Sequence, residues 1–373
     1  MEYLLLASFG EVVSYIGYVL IAVLVLLAMI TVHEFGHYIT GKIFGFGIEE
    51  FSIGFGPKLF QKEKKNGELF SVRLLPLGGF CAFKGEDADD PDPTAFNNKK
   101  PWQRIIVLIS GAFMNYLFAL LIIIITFSAY GQSALVTYKM SENPAYSSYC
   151  FEEKDIILKA NDRNVYMVAD LMNAIENKKQ GDLVKFTIRR DGEIKEIEVM
   201  LRRDTTFSSV EDSFTLYDAL GIYYQKDIET GKMTDGGLYQ TGIKFGFFQT
   251  IGRSVDYSFR LAGSIFIVLK QLITGALGLS SLGGTVTTIT VTAEAIKIGG
   301  LRYLLNMSSL IGVNLAVFNL LPIPALDGSR VVFTLIEWIR RKPISRRVEG
   351  VIHGIGLVLL MCFALLVDLQ RCF

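Results

Sequence analysis

The sequence lacks several features that would identify common classes of protein. Its 37 Lys and Arg residues are matched by 37 Asp and Glu residues, so no overall basic field favours nucleic-acid binding. The four cysteines are scattered and none forms a C-x-x-C pair, which indicates neither a cysteine zinc site nor a disulfide framework. No basic segment precedes the first apolar stretch, so a cleavable signal peptide is not expected.

What the sequence has in abundance is apolar residues. They make up 51% of the chain, and the mean hydropathy of +0.38 is typical of a membrane protein rather than a soluble domain. Four stretches approach the length of about 20 residues that spans a bilayer. They run from about Val12 to Val32, from about Ile105 to Phe127, from Tyr303 or Leu304 to Leu321, and from about Val351 to Val367.

A fifth apolar stretch, Leu261 to Leu279, is predicted to be an amphipathic or interfacial helix. Lys270 lies in its middle, and a charge at the centre of a bilayer is costly. The remaining spans predict the orientation, because Lys and Arg are concentrated in the loops between spans one and two and between spans three and four. The first eleven residues contain neither. Both basic loops are therefore expected in the cytoplasm and both termini outside.

Between the spans, the sequence predicts two regions with β-structure. In the first loop, Phe51–Gly56 and Leu69–Leu75 have strand character on either side of an Asn66-Gly67 turn, and hairpins at the membrane surface are expected. Beyond the second span the composition becomes that of a soluble α/β domain. Its predicted elements are a strand at Asp155–Asp162, a helix at Val168–Asn177, and strands Leu183–Arg190 and Glu193–Leu201 around Asp191-Gly192.

These elements predict four parts of the chain. Residues 1–130 contain the first two transmembrane helices and the β-hairpin region at about 51–83. Residues 131–204 form the outer domain, and residues 205–300 form a linker with amphipathic or interfacial helices. Residues 301–373 contain the last two transmembrane helices.

The residues that carry chemistry begin at the inner end of the first span, with His33-Glu34-Phe35-Gly36-His37. Residues four apart lie about 40° apart on one helix face, so the two imidazoles can bind one ion. Zinc accepts two imidazoles and a third protein ligand and leaves one position for water. The metal lowers the pKa of that water, and Glu34 is predicted to take its proton before attack on a peptide carbonyl. The alternative is a pair of helix-end histidines at the membrane interface, with Glu34 snorkelling. It is less favoured because the chain has only three histidines, and two of them fall at this spacing around a Glu.

The third ligand must come from a distant part of the chain. In the segment Asn319–Gly328, Pro322 and Pro324 break the third span and leave carbonyl groups that only protein or a cavity can accommodate. Asp327 is the candidate ligand, since the second span returns outward and the third span descends again to the inner side, where the first span carries His33. His353 is the runner-up, with an interfacial or packing role as its other interpretation.

Three amides lie within the apolar runs and need hydrogen-bond partners there. Asn314 and Asn319 are candidates for binding the substrate backbone or the oxyanion, or alternatively for helix packing. Asn115, four residues after Gly111, is predicted to be a packing residue.

Together these residues resemble the site-2 protease family of intramembrane zinc metalloproteases, specifically the bacterial regulator-of-sigma-E type with one PDZ domain. The resemblance rests on His33 to His37, Gly54-Phe55-Gly56-Pro57, Pro76 to Phe80, Gly111 to Asn115, and Asn319 to Gly328. It implies one Zn²⁺ per chain bound by His33, His37 and Asp327, with Glu34 as the catalytic base. The implied fold is a polytopic α-helical membrane protein of four transmembrane helices, with a membrane-associated β region and one extracytoplasmic PDZ-like α/β domain.

The resemblance also implies how substrates bind. The edge of the β region would pair with unwound substrate, as in β-augmentation. The implied substrate-binding residues are Asn314, Asn319, Pro322, Gly54, Gly56, Arg73 and Leu75. Substrates would be single-span membrane proteins, such as an anti-sigma factor or a signal-peptide remnant, and the partners would include membrane lipid but no nucleic acid. The implied location is the bacterial cytoplasmic (inner) membrane, with the active site near the cytoplasmic face.

The PDZ-like match runs from Asn143-Pro144-Ala145 to Arg190-Asp191-Gly192. It departs from the family where Tyr146 to Cys150 replaces a run of small residues. This domain is expected to exclude substrates that retain a large outer domain, and it could contact peptides. Two alternatives to an intramembrane protease are a membrane zinc protease whose site lies in a soluble domain and a non-catalytic adaptor that presents the PDZ-like domain.

Overall fold

The computed structural model describes residues 9–86, 90–141, 146–207, 213–227, 233–275, 277–278 and 282–370. The chain divides into two compact units. The membrane unit comprises residues 1–123, 258–272 and 278–373, and the sheet unit comprises residues 124–257 and 273–277. The Asn143-Pro144-Ala145 segment of the PDZ-like match lies outside the described residues.

Among the described residues, four helices are long and apolar enough to cross a membrane, in agreement with the predicted number of spans. They are α1 (Phe9–Ile43), α2 (Pro101–Tyr130), α6 (Thr285–Asn319) and α8 (Arg346–Gln370). The shorter α7 (Asp327–Arg340) lies between α6 and α8 in the chain. Helix α6 begins well before the predicted start at Tyr303 or Leu304. Gly300 interrupts its helical geometry with φ 56° and ψ −139°, so the apolar pattern marked only the segment after this kink.

The doubtful fifth stretch belongs to α5 (Phe247–Ile273). This helix is not among the candidate spans that the described residues contain. Ser254, Ser258 and Leu261 are buried on one side, whereas Phe259 and Phe266 are exposed on the other. This two-sided character agrees with the predicted amphipathic helix.

The β region of the membrane unit consists of β1 (Ile48–Glu63) and β2 (Leu69–Phe83). Residues 50–53 of β1 pair with residues 69–72 and with residues 79–82 of β2, so this part of β1 lies between two segments of β2. Residues 58–63 pair with residues 69–73 across the predicted turn, where Gly67 has φ 81°. Strand β2 continues through the segment 76–79 although this segment contains one Pro and two Gly residues.

The sheet unit contains one larger sheet and one small hairpin. The larger sheet has the order β10-β3-β4-β6-β7, with β5 paired to β4. Its strands are β3 (Gln132–Thr137), β4 (Ile156–Ala160), β5 (Arg163–Asn164), β6 (Leu183–Arg190), β7 (Glu193–Met200) and β10 (Leu238–Ile243), and the small hairpin is β8 (Tyr224–Lys226) with β9 (Met233–Gly236). The helices α3 (Val168–Ile175) and α4 (Ser213–Leu220) contribute to the core.

The predicted elements of the outer domain are present in this unit. β6 and β7 form the expected hairpin, and Asp191 and Gly192 both have positive φ, as a type I′ turn requires. Residues 205–244 were interpreted as a linker that could contain short strands, but the pairing of β10 with β3, about 100 residues earlier in the chain, was not predicted. Such a pairing leaves no local pattern in the sequence.

Candidate metal centre

The centre begins at the C-terminal part of α1. His33 and His37 lie one turn apart and are each only 7% exposed. Their Nε2 atoms are 3.1 Å apart, and their rings meet edge to face with centroids 4.7 Å apart. The helical spacing therefore places two nitrogen atoms at one point, as the sequence predicted.

Asp327 completes this group from the other end of the chain. Its Oδ2 lies 2.9 Å from Nε2 of His33 and 3.2 Å from Nε2 of His37. The ligand atoms of the three residues all lie within 4.8 Å of one another, and the described part of the chain contains no other such group of His, Cys, Asp or Glu. The structure thus brings the three predicted ligands together.

These distances fit a zinc ion. Four ligands at about 2.0–2.1 Å from a tetrahedral zinc lie about 3.3 Å from one another. The three observed separations of 2.9, 3.1 and 3.2 Å come within a few tenths of an ångström of that value. Burial raises the pKa of the Asp327 carboxyl, but the neighbouring His37 and His33 lower it below its usual range. A carboxylate and two imidazoles are a ligand set that zinc accepts.

The loop between α6 and α7 holds Asp327 in place. Ala325 in this loop has φ 81°, and its N–H donates a hydrogen bond to Nδ1 of His353 on α8 at 3.1 Å. A Cβ on Gly356 of α8 would lie 2.4 Å from the Cβ of Pro324, so α8 contacts the loop closely. His353 therefore lies outside the ligand group and supports the segment that carries Asp327.

Helix α2 forms the remaining wall of the centre. The carbonyl oxygen of Val107 accepts a hydrogen bond from Nδ1 of His37 at 2.8 Å, which leaves the Nε2 of this histidine for the metal. One turn later, a Cβ on Gly111 would lie 2.4 Å from Nε2 of His37 and 2.8 Å from Cε1 of His33. Gly111 is therefore needed as glycine because the two histidine rings occupy the space of a side chain.

One turn further along α2, Asn115 lies beside the ring of His33. Its Nδ2 lies 3.5 Å from Nδ1 of His33, and Nδ2 of Asn319 lies 3.4 Å from the same atom. Asn319 was predicted to contact substrate, and Asn115 was predicted to pack between helices. Asn314 is half-buried on α6, and no contact with the centre is observed for it.

Glu34 lies on α1 between the two histidines in sequence, beside strand β2. The Glu34 carboxylate lies beside the backbone of Cys81 in β2. A Cβ on Gly79 would lie 3.5 Å from Cγ of Glu34. The last segment of β2 therefore passes directly alongside the predicted base.

The predicted substrate-binding residues of the β region lie together at one bend of the sheet. A Cβ on Gly54 would lie 2.9 Å from the carbonyl oxygens of both Arg73 and Leu75. Arg73 donates hydrogen bonds to Ser52 Oγ at 3.0 Å and to Gly56 O at 3.1 Å, and it pairs with Glu50. These contacts show that Arg73 shapes the sheet. Pro322 is exposed in the loop before Asp327.

The far end of the β region is attached to α1 by an ionic contact. The buried carboxylate of Glu68 pairs with Lys42 of α1 and lies 2.7 Å from Nζ of Lys64. Burial raises the pKa of Glu68, but the hydrogen bonds from Lys42 and Lys64 lower it more, to about 2. The sheet is therefore held against α1 near both of its ends.

Some functional groups were missed by sequence reasoning. The Val107 carbonyl could not have been found, because any residue would supply the same oxygen. The Gly111 to Asn115 spacing was the available signal, since it places both residues on one face of α2.

The matches to known proteins cover nearly the whole chain. The sequence model of the family described as Peptidase family M50 matches residues 21–363, which include the three ligand residues. A Clostridium perfringens protein named as a candidate zinc metalloprotease is 34% identical over 356 residues, covering 95% of this chain and 98% of the relative. A similarly named protein of Clostridium acetobutylicum is 30% identical over 353 residues, covering 94% of this chain and 96% of that relative. The zinc metalloprotease RasP of Bacillus licheniformis is 26% identical over 437 residues, covering 94% of this chain and 98% of that protein.

Proposed function

The chain belongs to peptidase family M50, and from this premise we propose that it is an intramembrane protease that cleaves single-span membrane proteins. The observation that carries the proposal is the position of the metal centre. His33 and His37 lie within the candidate span Gly10–Ile43 rather than in a separate soluble domain. A protease built this way acts on peptide bonds at or within the bilayer.

Membership of the family confirms three predictions made from the sequence. The resemblance to site-2 proteases is correct, the chain is a zinc metalloendopeptidase, and its cofactor is Zn²⁺. The chain is also a multi-pass membrane protein. The substrate, the catalytic steps and the orientation in the membrane belong to the proposal.

In the proposed mechanism each residue has one task. His33, His37 and Asp327 hold the ion, which when bound supplies a Lewis acid that polarises a carbonyl group and acidifies water. Glu34 accepts the proton of the attacking water and passes it to the leaving amine.

The β region is proposed to present the substrate in an extended form. A helical substrate keeps its peptide groups within its own hydrogen bonds, so it must unwind before cleavage. Residues 79–82 of β2, which pass Glu34, pair with residues 50–53 of β1 along one of their two sides. Their other side is the edge of the sheet. An unwound substrate segment that adds to this edge would bring a peptide carbonyl beside Glu34.

We further propose that the substrates have already been trimmed outside the membrane. Anti-sigma factors and signal-peptide remnants belong to this class. The sheet unit, interpreted as a PDZ-like domain, would exclude proteins with large outer domains. The proposed location is the cytoplasmic membrane of a bacterium, with both termini outside and the zinc site near the cytoplasmic face, as the basic loops indicate. A non-catalytic adaptor is not favoured, because all three ligands and the base are present.

The proposal is tested with the purified full-length chain in proteoliposomes and a single-span substrate, offered with and without its outer domain. Glu34→Gln is expected to slow cleavage of the trimmed substrate by about 10²- to 10⁴-fold, because the general base is lost. It should still contain zinc, because Glu34 is not a ligand. Glu11→Gln makes the same change at the exposed start of α1 and serves as the control.

Two results would contradict the proposal. Cleavage at the parent rate by pure Glu34→Gln protein would remove Glu34 from the mechanism. Cleavage confined to loops exposed outside the bilayer would favour a membrane-anchored protease of ordinary type. The Glu34→Gln protein can also be used to capture bound substrates from membranes for identification.

A further inference from the structure

The inference concerns the amide of Asn115 and the ring of His33. It uses the zinc cofactor that family membership establishes, and it does not depend on the proposed substrate. His33 meets the other two ligands through Nε2, which lies 2.9 Å from Asp327 Oδ2 and 3.1 Å from Nε2 of His37. A neutral imidazole that offers Nε2 to a metal ion carries its hydrogen on Nδ1. The group that faces Nδ1 must therefore be a hydrogen-bond acceptor.

The two amides at this atom do not meet that requirement as they are oriented. Asn115 and Asn319 both direct Nδ2 at Nδ1 of His33, at 3.5 and 3.4 Å. An NH₂ group is a donor, so neither contact is compatible with an N–H on the ring. The oxygen and nitrogen of an amide are assigned from their surroundings, and rotation by 180° exchanges them.

Asn115 is the amide that gains from this rotation. Its side chain is fully buried, at 0% exposure, and its Oδ1 has no hydrogen-bond partner in the described part of the chain. A buried amide oxygen without a partner is destabilising. Turning the amide gives Oδ1 the Nδ1–H of His33 as its donor and moves Nδ2 to the position that Oδ1 had occupied. Asn319 is only half-buried, so its amide can find other partners.

Helix α2 also orients the second histidine, His37, by accepting a hydrogen bond from its Nδ1–H. The Val107 carbonyl accepts the Nδ1–H of His37 at 2.8 Å. Val107, Gly111 and Asn115 follow one another at four-residue spacing on one face of α2. One face of this helix therefore offers an oxygen to each ring, with a glycine between them where the rings pass closest.

We propose that Asn115 is a positioning residue whose amide oxygen accepts the Nδ1–H of His33 and so holds this ring with Nε2 directed at the zinc ion. Partners that orient a metal-binding histidine in this manner contribute about 10- to 100-fold to metal affinity. Asn319 then keeps its amide available for the substrate, which agrees with its proposed role.

The test compares two near-isosteric variants of the purified full-length chain. Asn115→Leu removes the acceptor, and Asn115→Asp retains an oxygen in the same place. Zinc affinity is measured by competition with a chromophoric chelator, and the visible spectrum of the Co²⁺-loaded protein reports the ligand geometry. Asn115→Leu is expected to weaken zinc binding by about 10- to 100-fold and to alter the Co²⁺ spectrum. Asn115→Asp should remain within about threefold of the parent and keep its spectrum.

Two controls separate this role from packing. Asn306→Leu makes the same change on α6 away from the centre and should not affect zinc affinity. Asn319→Leu should also leave zinc affinity near the parent value. If Asn115→Leu does not fold, as judged by gel filtration and circular dichroism, Asn115→Ala replaces it, with the same expected loss.

Three outcomes would overturn the proposal. The first is parent-like zinc affinity in Asn115→Leu or its Ala replacement. The second is an equal loss in Asn115→Asp, which would indicate a packing role. The third is a loss in Asn319→Leu alone, which would assign the acceptor to Asn319. None of these results depends on cleavage, so a failure here is distinct from a failure of the proposed function.

Discussion

The two units of this protein use their interiors differently. In the membrane unit, polar side chains such as His33, His37 and Asn115 are buried and converge on one point. In the sheet unit, the main buried cluster is apolar and includes Phe151, Phe186 and Ile188. In the first unit the interior therefore contains a candidate metal site, whereas the described residues of the second unit contain no comparable group of His, Cys, Asp or Glu.

The two units also contain contacts between residues at very different distances along the chain. The His33–Asp327 contact joins residues 294 positions apart. In the sheet unit the β6–β7 hairpin joins strands that are separated by two residues. Substitutions in the two units should therefore have separable effects, on zinc in the first and on folding in the second.

The largest effect is expected at Asp327. Asp327→Ala removes one of three protein ligands, so zinc should be lost and cleavage should fall by more than about 10⁴-fold, as when a catalytic group is removed. Metal analysis of the purified protein and a cleavage assay measure the two quantities. Asp182→Ala, at an exposed site of the sheet unit, is the control.

The same experiment decides the identity of the third ligand. Asp327→Asn should also retain less zinc, because a neutral amide is a poorer ligand than a carboxylate. Full zinc content in both Asp327 variants, with a loss only in His353→Ala, would make His353 the ligand.

The next largest effect is expected on the stability of the sheet unit. Phe186→Ala opens a cavity in a fully buried position and should lower the free energy of unfolding of this unit by about 3–5 kcal/mol. Hydrogen exchange of β6 measures this loss. Zinc content should not change. A loss of zinc would show that zinc binding depends on the stability of the sheet unit. Ile194→Ala, on a side chain that is 62% exposed, is the matched control.

A smaller effect is expected at Gly111. The Cβ of Gly111→Ala would need a displacement of about 1 Å from the histidine rings, and errors of that size cost about 100-fold in activity. Zinc affinity should fall as well, which chelator competition measures. Gly17→Ala places the same methyl group on α1 where nothing lies within 4 Å, and should be neutral. Equal activity and zinc affinity in Gly111→Ala and Gly17→Ala would show that α2 does not approach the histidines closely.

The smallest effect is a pH dependence at Glu68. Its pKa is lowered to about 2 in the folded protein, so its contribution is present above the unfolded pKa of about 4.3 and is lost as the pH falls toward 2. The expected loss is about 1–2 kcal/mol, because Lys42 and Lys64 are 39% and 41% exposed and therefore screened. The opening free energy of residues 58–69, from hydrogen exchange corrected for intrinsic rates, measures it. Glu68→Gln should abolish this pH dependence, and an unchanged dependence in the variant would assign it to other groups.

Much of this could be predicted from the sequence, for identifiable reasons. The pairing of His33 with His37 follows from helical periodicity, and the β6–β7 hairpin follows from Asp191-Gly192. Asp327 could be inferred because the prolines before it mark irregular backbone in an apolar setting. In the first two cases a local pattern determines a local geometry, and for Asp327 the order of the spans supplies the return to the side of His33.

Contacts between distant segments could not be predicted in this way. The pairing of β10 with β3 depends on packing that leaves no periodic signal. The spacing of Gly111 and Asn115 indicates a shared face of α2, but it does not indicate that this face meets His33. The Gly300 kink was concealed because a glycine within a polar stretch of α6 resembles a loop. Asn115 was assigned to packing because nothing local indicates which ring a buried amide will face.

The long separation of Asp327 from the histidines has a consequence for biosynthesis. The ribosome completes His33, Glu34 and His37 long before it reaches Asp327. A nascent chain therefore holds two ligands and the base but cannot assemble the centre until α6 has entered the membrane and the following loop has been placed. Translation that stops early, or insertion that omits α6, leaves an inert protein. The order of the candidate ligands along the chain thus makes assembly of the metal centre one of the last steps of biosynthesis.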